Sequence, residues 1–121
     1  MMLYPKQPAR KKRMVHPPSI IRQEPGTCYL CIKLHNDYRC WTMREEHHVF
    51  DGPNRKISEE NGFKVKLCIG HHRTSPEAVH TKKENMLLIQ QDVQREYEKT
   101  HTRQQFMSLI GRNYLEDDNA E

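Results

Sequence analysis

Between Phe63 and Cys68 apolar residues alternate with charged ones, Phe63, Val65 and Leu67 against Lys64 and Lys66, which is the period of a strand buried on one face. Val49 and Phe50 extend a second short strand that follows His47 and His48, and the two strands are expected to pair. The connection from Asp51 to Gly62 is long for a hairpin. Asn54 is placed to cap a helical turn over Arg55–Glu60, and Gly62 to end it. Farther along the period becomes 3.6. Met86, Ile89, Val93 and Tyr97 fall on one face of a stretch from Lys82 to about Glu98 that contains no Gly or Pro, and Thr81 with Glu84 has the spacing of a capping box. Thr102 and Gln105 repeat that box before the stripe Phe106, Leu109 and Ile110, and Gly111 is the stop. Ser75-Pro76-Glu77 reads as a cap with proline at a first helical position. The two long helical stretches are expected to pack as a lid on the remainder.

Composition makes that remainder thin. With 121 residues, 35% of them hydrophobic, and a mean hydropathy of -1.00, the chain supports one small domain that needs a staple. The N-terminus, MMLYPKQPARKKR, lacks the apolar run of a secretory signal, so the four cysteines are expected in a reducing, cytoplasmic setting and a metal replaces disulfides as the staple. No stretch has the apolar length of a membrane span, and no membrane role is expected.

The net charge of +4 is spread unevenly. In residues 1–25, Lys6, Arg10, Lys11, Lys12, Arg13 and Arg22 stand against Glu24 alone, giving +5 in a proline-rich arm that cannot bury enough apolar surface to fold by itself. Such an arm is expected to be a disordered tether that attracts phosphates through Lys11, Lys12 and Arg13, or more plainly a solubilising tail. Residues 116–121 carry Glu116, Asp117, Asp118 and Glu121, an acidic tail of -4. The folded domain is expected over 26–115.

Two constellations carry chemistry. Cys28 and Cys31 form one pair with two residues between partners, Cys68 and His71 another, and 36 residues separate the pairs. That is the spacing of a two-knuckle structural zinc site, opened by the Pro25-Gly26 turn. His71 and His72 are both available as the fourth ligand. Cys40 fits no pattern and reads as a plain buried thiol beside Trp41. The second constellation is His47, His48, His72 and His80, with Asp51 and Asn61 nearby in sequence. Cutting a phosphodiester requires an activated water, a cation that stabilises charge on phosphate and leaving oxygen, and an open site. Adjacent histidines on a strand face opposite sides, so His47 is expected to bind the ion and His48 to act as base, its tautomer fixed by a hydrogen bond to the other ring nitrogen. The plainer reading makes one or both structural or solvated.

These residues resemble the His-Asn-His (HNH) nucleases of the ββα-metal fold, in which a hairpin and a helix enclose one divalent ion. The resemblance spans roughly residues 26–80 and rests on Cys28/Cys31 and Cys68/His71 as zinc ligands, on His47-His48 at the first-histidine position and on His72 at the last. The runs His47-His48-Val49-Phe50-Asp51-Gly52 and Gly111-Arg112-Asn113-Tyr114-Leu115, with the Arg55–Glu60 stretch between, are similar to small phage and mobile-element HNH proteins, including relatives of the RecA-dependent recombination-enhancement nuclease. The middle asparagine has its nearest counterpart in Asn61, seven positions before Cys68. The final helix is delayed past Arg73, so His80 competes with His72 as last ligand; on one helical face the two are too distant, and the loop must fold back if both bind.

The fold class implied is α+β: a ββα-metal core stapled by zinc knuckles, two C-terminal helices and a basic arm. The function implied is a DNA endonuclease with structural Zn2+, a catalytic Mg2+ or other divalent ion on His47, His72 and His80, and a RecA-type recombinase as partner. Arg55, Lys56, Lys64, Lys66 and Arg73 flank the hairpin where cations can neutralise phosphates, or form a solvated face. The alternative from another class is a non-catalytic zinc-ribbon DNA-binding or recombination-accessory protein.

Overall fold

Strand β2, Lys64–Cys68, forms where the alternation places it, with Phe63, Val65 and Leu67 buried. It belongs to a computed structural model that describes residues 17–115. Antiparallel to it runs β1, Arg44–His48, with His47 opposite Val65 and Arg44 opposite Cys68. β1 stops at His48, so Val49 and Phe50 do not extend it. The Val49 amide still donates to the Phe63 carbonyl at 2.9 Å, and at Phe50 the buried Ser58 hydroxyl takes over, donating to its carbonyl at 2.6 Å and accepting from its amide at 3.1 Å. Phe50 then turns inward, edge-on to Phe63 and Phe106 with ring centroids 5.6 and 5.5 Å away.

Lys64 departs from the simple alternation. It leaves the core face as expected, yet it is only 7% exposed, because helix α2, Arg55–Asn61, covers that face and Glu59 accepts from its Nζ at 2.8 Å. Asn54 precedes α2 but does not cap it with its side chain; its amide reaches across to the Ile110 carbonyl at 3.1 Å. Gly62 ends the helix with φ of 73°.

The arm and the domain do not divide at residue 25. The Ile20 amide donates to the Gly62 carbonyl at 2.9 Å, and the Gln23 side-chain amide both donates to the Lys66 carbonyl and accepts from the Lys66 amide, at 3.1 and 2.8 Å. Residues 19–23 thereby cover the free edge of β2, whose unpaired groups would otherwise invite another strand. Lys11, Lys12, Arg13 and the acidic tail 116–121 lie outside the described residues. Gly62 is the pivot of this covering: a Cβ there would run into the Pro18 carbonyl oxygen, and its left-handed φ is unfavourable for other residues by about 1–2 kcal/mol. Gly62→Ala is expected to lower stability by about 2 kcal/mol or more. A urea midpoint equal to the wild type would show that residues 18–20 are not seated as described.

Helix α1, Tyr29–His35, follows directly on Cys28. α3, Lys83–Tyr97, buries Ile89 and Val93 and packs Met86 and Tyr97 against the same core, as its stripe requires. Lys82 is its cap residue, and the Thr81–Glu84 box does not form. Nor does Ser75-Pro76-Glu77 start a helix: residues 75–82 run as successive turns, folded back by the Val79 amide on the His71 carbonyl at 2.9 Å. α4, Arg103–Ile110, has the capping box complete, with Gln105 amide to Thr102 hydroxyl at 3.1 Å and Thr102 amide to Gln105 side chain at 2.8 Å, and Gly111 closes it at φ 86°. The result is a mixed α+β fold with a two-stranded sheet, its core centred on Phe50, Phe63, Phe106, Leu30 and Leu67. No described helix is long and apolar enough to cross a membrane.

Candidate metal centres

Three elements deliver the first cluster. Cys28 stands at the head of α1 and Cys31 one turn inside it; Cys68 ends β2; His71 sits in the single wide turn Gly70–Thr74 that follows. All four side chains are buried. His71 Nδ1 lies 3.5 Å from Cys28 Sγ, 3.4 Å from Cys31 Sγ and 3.5 Å from Cys68 Sγ, and the Cys31 and Cys68 sulfurs are 4.0 Å apart. Zinc in tetrahedral geometry, about 2.3 Å from sulfur and about 2.0 Å from nitrogen, separates its ligand atoms by roughly 3.8 Å (S to S) and roughly 3.5 Å (S to N). The cluster therefore has the dimensions of a closed Cys3His site able to hold a metal such as zinc.

Its electrostatics point the same way. Burial pushes the Cys31 thiol up to about 12, with Cys28 and then Cys68 adding to the rise; burial likewise raises Cys68. At pH 7 these thiols hold their protons unless a cation takes their place, so metal uptake must release protons. The sign follows: because the folded, metal-free thiols have raised pKa values, lowering proton activity from pH 6 to 9 favours the loaded form. Zinc titration by calorimetry in two buffers of different ionisation enthalpy is expected to show at least one proton released per zinc at pH 7, with apparent affinity rising with pH. Buffer-independent heats would contradict a thiol site.

A carboxylate holds the far side of His71. Its Nε2 is 3.0 Å from Glu77 Oε1, which also takes His35 Nε2 at 2.8 Å, and these two contacts, His35 first, hold the Glu77 carboxyl below its usual range. A proton placed on Nε2 leaves Nδ1 free to face the sulfurs, the usual arrangement around a metal-bound imidazole. Cys40 takes no part. It is exposed on the loop between α1 and β1, its thiol toward the Pro25 carbonyl, and is not the buried thiol expected beside Trp41.

The second cluster is built from neighbours of the first. Adjacent residues in the 70–74 turn diverge, so His71 goes to the sulfurs while His72 goes to His47, and the fold-back of residues 75–80 brings His80 to both. Ring centroids are 5.3 Å apart for His47 and His72, 5.4 Å for His47 and His80, and 5.0 Å for His72 and His80. One ligand atom from each falls within 4.8 Å of the others. His47 is 2% exposed and its Nε2 has no hydrogen-bond partner, a cost that an ion in the triad would remove. Burial, reinforced by the positive charge that His72, His80 and His48 can carry, lowers the His47 pKa to about 3, so the ring is neutral and its lone pair available at pH 7. His72 repeats the device of His71: its Nδ1 lies 2.7 Å from Glu45 Oε1, and Arg73 grips the same carboxylate with two bonds of 3.0 Å. Arg73 first, then His72, holds Glu45 at about 2. His80 is exposed and opens the triad to solvent.

His48 lies on the other face of β1. Its Nε2 is 2.6 Å from Glu59 Oε1, and Lys64 binds the second oxygen of that carboxylate, so Glu59 is held at about 2, by Lys64 first and His48 second. The structure thus joins His47, His72 and His80, and separates His48 from them. Among the expected DNA-binding cations, Lys64 is buried in this network and Arg73 is committed to Glu45; Lys66 faces Glu46 at 3.5 Å, and Arg55 and Lys56 are exposed. The three carboxylates went unnoticed in the sequence. Glu45 was findable, since it lies two residues before His47 and shares its side of the strand, whereas Glu77 sits in a loop whose folding no local pattern announces.

Comparison with protein-family models, with curated proteins and with solved structures finds no match for this chain. Its class is therefore set by its own geometry: a small mixed α+β domain with a buried Cys3His group able to hold zinc. Beside that group stands a second, more open group of three histidines.

Proposed function

We propose that this protein is a metal-dependent DNA endonuclease in which the sealed Cys3His site holds the chain together and the open His47, His72, His80 triad carries the reactive ion. The observation that carries this reading is the buried, unpartnered Nε2 of His47 converging with two further imidazoles, one of them solvent-exposed. A divalent ion there would lower the pKa of a bound water and stabilise charge on a phosphodiester oxygen. His47 supplies a neutral ring nitrogen from β1 and His72 a second ring nitrogen from a carboxylate-oriented turn; His80 marks the side from which a phosphate can approach. His48 is the base in this reading. Glu59 accepts from its Nε2, which leaves Nδ1 to accept a proton. Support for the broader resemblance to ββα-metal nucleases is the antiparallel β1–β2 pair followed by α3. The exposed Arg55 and Lys56, with the basic residues 10–13, suit a polyanionic substrate, and cleavage stimulated by an added RecA-type filament would extend the proposal to its partner.

One observation favours a second reading: His48 turns to Glu59 rather than toward the triad. A zinc-stapled DNA-binding protein without catalysis would look the same. Nicking of supercoiled plasmid, with Mg2+ or Mn2+ restored after dialysis against chelator, decides between them. The nuclease reading expects ion-dependent nicked circles, reduced roughly 100-fold or more by His48→Ala at unchanged zinc content. Absence of nicking with every divalent ion, at full zinc occupancy, would reject it.

A further inference from the structure

A cavity of about 420 Å³ opens beside the triad, its wall shared with it through His80. Half-buried Met86 and Leu87 give it apolar lining beside Gln90, and the exposed Lys83 and Arg112 line it with Tyr114. That volume is in the range of pockets that enclose a small organic ligand. The two cations are exposed and have no carboxylate partner among the described residues, unlike Lys64 and Arg73, which are tied down in ion pairs.

Arg112 is not loosely held. Its guanidinium lies over the Tyr114 ring, 4.8 Å from the centroid, and that ring packs on Phe50 at 5.1 Å. Beneath them the fully buried Gln94 accepts from the Tyr114 amide at 2.7 Å and donates to Asn113 Oδ1 at 2.7 Å, and Gln91 donates to the Tyr114 carbonyl at 3.0 Å. Two glutamines of α3 thus fix the Tyr114 backbone and the Asn113 side chain and preset the cation, which is the condition for charge-assisted recognition with little loss of entropy. Half-buried apolar side chains beside two exposed, phosphate-seeking cations match a nucleotide, its base against the former and its phosphate against the latter.

We propose that this cavity seats the nucleotide next to the phosphate held at the triad, with Arg112 and Lys83 on its phosphate and the base, turned out of the duplex stack, against Met86 and Leu87. The inference rests on the nuclease reading for the position of that neighbouring phosphate. Its test is binding, which does not need cleavage. Fluorescence anisotropy of a labelled 20-base-pair duplex against the zinc-loaded full chain is expected to show Arg112→Gln and Lys83→Gln each weakening Kd roughly 5- to 10-fold. Each change should flatten the slope of log Kd against log salt by about one. Arg112→Lys, which keeps charge but not the paired donors, should recover part of the loss. In cleavage, both glutamine variants should raise KM with kcat little changed.

If the wild type binds DNA but never cuts it, and these variants still lose affinity and salt slope, the pocket stands while the nuclease reading falls. If the wild type cuts and the double variant Lys83→Gln/Arg112→Gln, with normal zinc content, binds and cuts as the wild type does, the pocket is wrong and the nuclease reading survives. No DNA binding by the wild type overturns both.

Discussion

A Cys28→Ser chain is expected to be unfolded at neutral pH whatever zinc is supplied. Structural zinc sites contribute apparent binding free energies of about 10–16 kcal/mol, while the net stability of a small domain is only about 5–15 kcal/mol. The four side chains come from the head of α1, from β2 and from the turn after it, so an ion held there would tie the first helix to the sheet. Losing one thiolate leaves two others and an imidazole buried without an ion to satisfy them, and the apolar core around Leu30 and Leu67 is too small to hold α1 in place alone. Far-UV circular dichroism and amide proton dispersion check this directly. A native-like spectrum for Cys28→Ser would mean that the cluster is not the staple.

His47→Ala is expected to behave in the opposite way. Its fold and its zinc should persist, because removing a buried ring leaves a cavity but also removes the unpartnered Nε2, whose burial costs about 1–3 kcal/mol in the absence of an ion. What should be lost is the second ion. Outer partners of metal-bound imidazoles, such as Glu45 here, change affinity about 10- to 100-fold, so deletion of a direct ligand should exceed that, and the nicking activity proposed for the triad should vanish with it. Isothermal titration of Mn2+ against the zinc-loaded variant gives the affinity, and the plasmid assay gives the activity. Wild-type Mn2+ affinity in the variant would place the second ion elsewhere.

The difference between these two outcomes turns on features unequally visible along the chain. Cys28, Cys31 and Cys68, with a histidine after Cys68, were legible because ligand pairs with two residues between them are a local signature. So were β2, the stripe of α3 and the Thr102–Gln105 box, each determined by near neighbours in sequence. The division of labour between His71 and His72 was not legible, since it depends on the bend of the 70–74 turn. The meeting of His72 with His80 was expected only if the loop folds back, and that fold-back is held by a backbone bond from Val79 to His71, of a kind that leaves no trace in residue type. Val49 and Phe50 look like strand residues by composition; a single buried hydroxyl, that of Ser58, decides otherwise. Lys64 looks solvated by period, and only the position of α2 over its face buries it. Long-range placement of charged partners, Glu45, Glu59 and Glu77, escaped notice for the same reason.

A sealed zinc and a second, exchangeable ion are proposed for this chain, and counting the metals is the most direct test. Elemental analysis of the purified protein, before and after brief chelation and reloading with Mn2+, is expected to give one zinc that resists the chelator and one exchangeable ion. Loss of the exchangeable ion should leave the fold unchanged, and His47→Ala should remove it. A single metal per chain under all loading conditions, with His47, His72 and His80 resonances indifferent to added Mn2+ or Zn2+, would contradict the account.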